Sequence, residues 1–308
     1  MSVARDDLPA VSRRRVRLAL RAARERTGLS QSEVAKKLGW SLSTVQRIEL
    51  GEVTISPTDR RVVLVDIYQL TDQAWIAELV EQARVARRER YWTAAEHRDH
   101  LPTGLLQLMQ FEMAATTIRA YEPTLIPGLL QTPAFAEAML ASHELNLGGE
   151  RRRVRREVRL ARRSRVIERD EGAPDSRLLL DESALLRTVG DMTISADQFE
   201  DLAGASRRRN VRVRVVPMDE GGLIGTFGAF TVLDLADDPE DAVLYRESYI
   251  RDELVEDLPE VQYHRDVFER YWRLSLPEEA TRVLLLERVY TLRARIARGL
   301  DQVQDNRS

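Results

Sequence analysis

Gln31, Lys37, Ser43, Thr44, Gln46 and Arg47 fall within one short stretch, residues 29–51, which reads LSQSEVAKKLGWSLSTVQRIELG. An arginine fork can pair with O6 and N7 of guanine, and a glutamine amide with N6 and N7 of adenine. Such groups read base edges only if an element holds them on one outward face, and the stretch supplies that element. Ser30 can cap a first helix, and Glu33, three residues on, completes a capping box. That helix is expected to run to Leu38, where Gly39 supplies a left-handed turn. Ser41 then caps a second helix from Leu42 to Leu50, closed by Gly51. Val34, Leu38, Val45 and Ile48 fall at helical spacing and face inward, which leaves the polar residues facing out. Two short helices joined by a tight turn, the second outwardly polar, predict a helix-turn-helix. An ordinary helical hairpin is the bland alternative. The coincidence of caps, turn, buried positions and polar face argues against it.

The same residues resemble the Cro/CI-type phage repressors, also called XRE-type regulators. Shared features are Leu29 to Gln31, the Val34 and Ala35 pair, Leu38 with Gly39, and the run Val45, Gln46, Arg47, Ile48, Glu49 before Gly51. The resemblance implies that Gln31 holds a phosphate and that Leu42, Ser43, Gln46 and Arg47 read bases. Leu42 has no hydrogen bond to offer and would meet a thymine methyl. Ser41, Thr44, Lys37 and the Arg13, Arg14 and Arg15 cluster are expected on backbone phosphates. Leu50 departs from the pattern, since several phage repressors carry a polar phosphate contact just before the glycine.

Composition agrees with a nucleic-acid-binding head on a different body. The 308 residues suffice for about two domains, and 43% hydrophobic with 31% charged content belongs to a globular chain. Cysteine is absent, which removes disulfides and thiolate metal sites and suits a reducing cytoplasm. No apolar run reaches the roughly 20 residues of a membrane span, and MSVARDDLPA lacks a signal peptide's apolar core. The expected location is cytoplasmic, with no membrane partner. Residues 1–60 hold twelve Lys and Arg against seven Asp and Glu, hence +5, which leaves -8 for the rest of a chain of net charge -3. Phosphate binding is therefore expected at one end.

The chain divides by pattern into a helix-turn-helix domain at 1–80, a connector at 81–104 and a body at 105–308. In the head, residues 1–11 read as an arm. Residues 12–27 read as a helix with Val16, Leu18, Leu20 and Ala23 apolar. A helix from Pro57 to about Leu70 should bury Val62, Val63, Val65 and Tyr68, and another follows Asp72. The body alternates. Strands are expected at 116–121, 178–180, 211–216, 229–235 and 242–245, with helices at 133–140, 149–170, 198–209 and from Asp257 on. The fold class is α+β: an all-α head, then a mixed α+β domain with helices grouped at its ends. The helix at 149–170 is rich in arginine. Its interleaved Glu150, Glu157, Glu168 and Asp170 favour a solvated helix over a second nucleic-acid surface.

A second resemblance covers nearly the whole chain. The runs at 121–140, 178–187 and 211–217, with FGAFTVLDL and VLYRES, resemble the actinobacterial WhiJ-like regulators, also called antitoxin-like transcriptional regulators. This implies DNA-binding transcriptional control, often beside a gene for a small partner protein. One short recognition helix covers too few base pairs, so a homodimer on double-stranded DNA is expected. From the domain order alone, the C-terminal domain is expected to sense a small protein encoded nearby, or a ligand. The alternative is an antitoxin-type protein whose main role is to bind and neutralise that small partner. Catalysis is the remaining rival. Asp181, Glu182 and Ser183 stand at a strand end, and GGLIGTFG (221–228) is glycine-rich. That loop leads into a strand, however, and a phosphate-cradling loop opens a helix. There is no serine elbow and no dinucleotide fingerprint either. Glu96, His97, Asp99 and His100 have a ligand-like spacing on an acid-rich turn, where solvated side chains are the commoner outcome. No enzyme activity, cofactor or metal is expected.

Overall fold

The computed structural model describes residues 8–50, 53, 55, 59, 62–87, 100–143, 149–220, 222, 224–235, 240–247 and 252–299. The chain forms two compact units, Met1–Tyr91 and Trp92–Ser308.

The first unit is helical. Helix α1 (Pro9–Arg26) begins three residues earlier than the apolar pattern indicates. Pro9 does not end an arm. It opens the helix, where its missing N–H costs nothing, and Leu8, Ala10 and Val11 are buried beside it. Helix α2 (Gln31–Leu38) carries the expected capping box. Glu33 N donates to Ser30 Oγ at 3.2 Å, and Ser30 N donates to Glu33 Oε2 at 2.8 Å. Gly39 ends it at φ 66°, a conformation that disfavours any side chain. Helix α3 (Leu42–Glu49) is capped by Ser41 through Thr44 N at 3.1 Å. Leu50 takes its C-cap; Gly51, expected there, lies outside the described residues.

Of the helix expected over 57–70, Val62–Ile67 is described, and it is π-helical. Tyr68 N reaches Val63 O at 2.9 Å. The wider i to i+5 turn changes which residues face in. Val63 and Leu64 are buried, whereas Val62, expected inside, is 43% exposed. Helix α4 (Gln73–Val85) follows, with Asp72 Oδ1 accepting from Ala74 N and Trp75 N. Leu20, Ala23, Val34, Val45, Ile48, Leu64, Tyr68, Ile76 and Leu79 share one core.

The second unit is built on a six-stranded sheet of order β3-β2-β1-β4-β5-β6. Its strands are β1 (Thr117–Glu122), β2 (Asp175–Asp181), β3 (Val211–Val216), β4 (Ala229–Asp234), β5 (Ala242–Glu247) and β6 (Glu253–Val255). β1, β2 and β3 are parallel neighbours, whereas β4, β5 and β6 are joined antiparallel. Helix α5 (Thr103–Ala114) precedes β1, and the crossover to β2 carries α6 (Pro133–His143) and α7 (Gly149–Arg162). After β2 come α8 (Glu182–Leu186) and α9 (Met192–Ala205), and α10 (Leu258–Leu274) and α11 (Glu278–Ala297) follow β6.

Leu178, Leu179 and Leu180 are consecutive and fully buried, so the centre of the sheet is covered on both faces. Helices therefore lie over the sheet and are not confined to its ends. One face is closed by α10, whose Phe268, Tyr271 and Trp272 pack with Tyr121, Leu179, Phe230 and Leu244. Asp257 caps α10 through Glu260 N at 3.2 Å. The fold is α+β, a helical head followed by a domain with a mixed sheet.

Candidate nucleic-acid interface

The interface rests on α2, the turn at Gly39 and α3. At about 100° per residue, Leu42, Ser43, Gln46 and Arg47 fill an arc of about 140° on α3, and Val45, Ile48 and Glu49 fill a separate arc of about 100°. The structure buries the second set and exposes all four of the first, Leu42 by 43%. Ser41 Oγ lies 2.9 Å from Ser43 Oγ and 2.8 Å from Thr44 Oγ1. Three hydroxyls thus gather at the N-terminus of α3, where the helix dipole favours an anion such as phosphate. Lys37 is exposed in the last turn of α2.

The remaining expected phosphate contacts divide. Arg13 is exposed on α1, with Nε 3.4 Å from the Pro9 carbonyl, and Arg15 is half-buried. Arg14 is only 4% exposed and faces the interior of the unit, so this conformation does not present it to a DNA backbone. The helix starting at Pro9 fixes that side, since Arg14 shares it with the buried Ala10 and Val11. Gln31 is half-buried, and its Nε2 donates to Glu49 Oε2 at 2.7 Å. Its amide nitrogen is thus committed inside the module, and a phosphate would have to compete for it. Leu50 is 65% exposed, an apolar side chain at the rim of the interface.

Glu49 organises more than the sequence indicates. It is 6% exposed and accepts from Arg24 Nε at 2.5 Å, Arg24 Nη2 at 3.1 Å and Gln31. Arg24 also donates to the Leu29 carbonyl at 2.9 Å. One carboxylate therefore ties α1, the start of α2 and the end of α3 into a fixed mutual geometry. The hydrogen bond from Arg24 to Glu49 raises the arginine's pKa, and burial, helped by the Glu49 charge, pushes Tyr68 up to about 12. The signal in the sequence was positional: Glu49 lies four residues after Val45, on the inward arc.

The other candidate groups serve the fold of the second unit. Asp181 Oδ1 accepts from Ser183 N at 2.8 Å and caps α8. Ser183 Oγ donates to the Pro123 carbonyl, and Glu182 accepts from Met218 N. The glycine-rich loop forms a 3-10 turn, Ile224–Phe227, and enters β4 through Gly228 at φ 68°. On α7, Arg153 pairs with Glu150 and Glu157, Arg156 lies near Glu137, and Arg162 pairs with Glu112. In the π-helical turn that follows, Arg163 pairs with Glu168 and Asp201. These guanidinium groups meet the domain's own carboxylates.

Glu96, His97 and Asp99 lie outside the described residues. Among the described residues, no group of three or more His, Cys, Asp or Glu could hold a metal, and no helix is long and apolar enough to cross a membrane.

Comparison with known proteins divides the chain in two. Residues 16–77 match the model of a helix-turn-helix domain, and residues 105–287 match that of a domain of unknown function, DUF5753. No curated protein and no solved structure matches the chain.

Proposed function

Since the chain belongs to the DUF5753 family and carries a helix-turn-helix at its head, we propose that it is a sequence-specific transcriptional regulator of the XRE type. The observation that carries this reading is the outer arc of α3. Its four exposed residues include a glutamine and an arginine at positions suited to base edges, on a helix whose start is capped and whose opposite arc is buried. Arg47 reads a guanine, Gln46 an adenine, and Leu42 touches a thymine methyl. Ser41, Thr44, Lys37 and Arg13 position the module on phosphates. One short recognition helix covers few base pairs, so two copies bind half-sites about one DNA turn apart. The DUF5753 domain supplies no chemistry in this reading. It takes up a small protein partner or a ligand and sets the geometry of the pair of heads.

The test is a gel shift on the chain's own upstream DNA at several salt concentrations. Arg47→Ala should cost about 1–3 kcal/mol at one base position and relax the preference there. Arg13→Ala should weaken all sequences alike and reduce the salt slope by about 0.9. A wild-type protein that binds random DNA as well as its own upstream region would sink the reading.

A further inference from the structure

In the sheet, Tyr121 of β1 pairs with Phe230 of β4 and Ala229 of β4 pairs with Glu247 of β5, so the same register carried one residue further sets Glu122 in a row with Ala229 and Glu247. The row lies at the carboxyl ends of β1 and β5. The two side chains share a face, on backbones about 9.5 Å apart across the small Ala229. Over this row runs α7, whose Arg155, Arg159 and Arg162 follow at i, i+4 and i+7, within an arc of about 60°. The loop after β1 closes the far side. A Cβ on Gly128 would lie 3.3 Å from Arg162 Nη1 and 3.9 Å from Arg159 Nε. Backbone thus approaches both guanidinium groups.

Charge compensation in this enclosure is uneven: Arg155 donates to the His100 carbonyl at 3.3 Å and has the Asp252 and Glu247 carboxylates near it. Arg162 is neutralised by Glu112, through bonds of 2.9 and 2.6 Å. Arg159 is enclosed beside it, yet its hydrogen bonds go to two neutral atoms, Gln131 Oε1 at 2.7 Å and Met139 Sδ at 3.9 Å. Among the described residues no carboxylate lies within ion-pair distance of Arg159. Burial, with Arg162 alongside, pushes its guanidinium down to about 10, while Glu247 and Glu122 act in the opposite sense. Glu122 gives little compensation, because burial and the Glu247 charge push its carboxyl up to about 8. At neutral pH it holds its proton and can donate. The enclosure therefore offers a cationic fork and a neutral O–H donor, with Glu247 exposed at its edge. Arg159 is half-buried, and a cation partly withdrawn from water without an ion-pair partner costs free energy that a bound anion recovers in part.

We propose that this enclosure between α7 and the carboxyl ends of β1 and β5 binds a small organic anion through a carboxylate or phosphate group. The anion takes a bidentate pair from Arg159, a hydrogen bond from Glu122 and further charge from Arg155. This site would be where the DUF5753 domain takes its ligand, but its existence does not depend on DNA recognition.

Calorimetric titration of the full chain, without DNA and at constant ionic strength in chloride, tests the site with two probes: inorganic phosphate and succinate. One of them should bind saturably, one per chain, and which one does so identifies the anionic group. Arg159→Gln should weaken that binding at least tenfold and Arg155→Gln severalfold. Arg153→Gln, on the exposed side of α7, should leave it unchanged. Circular dichroism reports whether Arg159→Gln folds, and if it does not, Arg155→Gln decides. Absence of saturable binding with both probes, or wild-type affinity in the folded variants, would overturn the proposal. Loss of DNA preference in a separate gel shift would leave it standing.

Discussion

Replacing Glu49 by alanine strands the Arg24 guanidinium inside the helical head. The two side chains are 12% and 6% exposed, and they meet through bonds of 2.5 and 3.1 Å. Removing one partner of a buried pair costs roughly 3–5 kcal/mol. Arg24 keeps its bond to the Leu29 carbonyl and a 3.4 Å contact with Glu25, so the lower end, about 3 kcal/mol, applies. Gln31 loses its acceptor as well, which adds up to about 1 kcal/mol. At about 0.05–0.15 kcal/mol per residue, a head of about 80 residues has roughly 4–12 kcal/mol of stability in total. A loss of about 3–4 kcal/mol therefore leaves little margin, and the head's melting temperature should fall by at least about 12 °C.

Peptide-resolved hydrogen exchange in increasing urea isolates the head from the rest of the chain. Amides of α1, α2 and α3 should lose protection together in Glu49→Ala, while those of β1 to β5 keep theirs. A double-mutant cycle with Arg24→Met should return a coupling of about 2 kcal/mol or more, and Arg24→Met with Glu49→Leu should recover most of the loss. A coupling within about 0.5 kcal/mol of zero would refute the reasoning, since the two residues would then act independently.

Three further outcomes follow from the same physical arguments. The raised Glu122 carboxyl makes the second unit lose stability with rising pH. Between about 4.5 and about 8 its folded state holds a proton that the unfolded chain has released, against the charges of Glu247, Arg159 and Arg162. Urea midpoints of wild type should fall across that window, Glu122→Gln should flatten the fall, and identical profiles would exclude the assignment. Tyr121 is fully buried, and its hydroxyl meets no hydrogen-bond partner among the described residues. Tyr121→Phe should therefore stabilise the domain by about 1 kcal/mol in equilibrium unfolding, and a destabilisation of that size would show that the hydroxyl is satisfied. On DNA, Arg47→Ala should relax preference at one base pair, whereas Arg13→Ala should act on every sequence alike, both read by gel shift as described above.

The helix-turn-helix was legible in residues 29–51 because its determinants are local. Ser30, Glu33, Gly39 and Ser41 act within three or four residues of themselves, and the 3.6-residue period alone sorts Val34, Val45 and Ile48 from Leu42, Ser43, Gln46 and Arg47. The strands at Val211–Val216 and Ala229–Asp234 were legible for the same reason, as alternation or short apolar runs between turn residues. Pro9 was not legible: its local pattern reads as the end of an arm, and only the burial of Ala10 and Val11 beside it makes it the first residue of α1.

Tertiary structure alone determined what depends on partners distant in sequence. The parallel pairing of β1 with β2 spans the whole crossover that carries α6 and α7, and the three residues of β6 are too few to show a period. The inward turn of Arg14, the Glu49 carboxylate shared by Arg24 and Gln31, and the bidentate pairing of Arg162 with Glu112 are of the same kind. A charged side chain has the same local pattern whether it faces solvent or a buried counter-charge. Only the packing of other elements against it sets its dielectric surroundings and its partner.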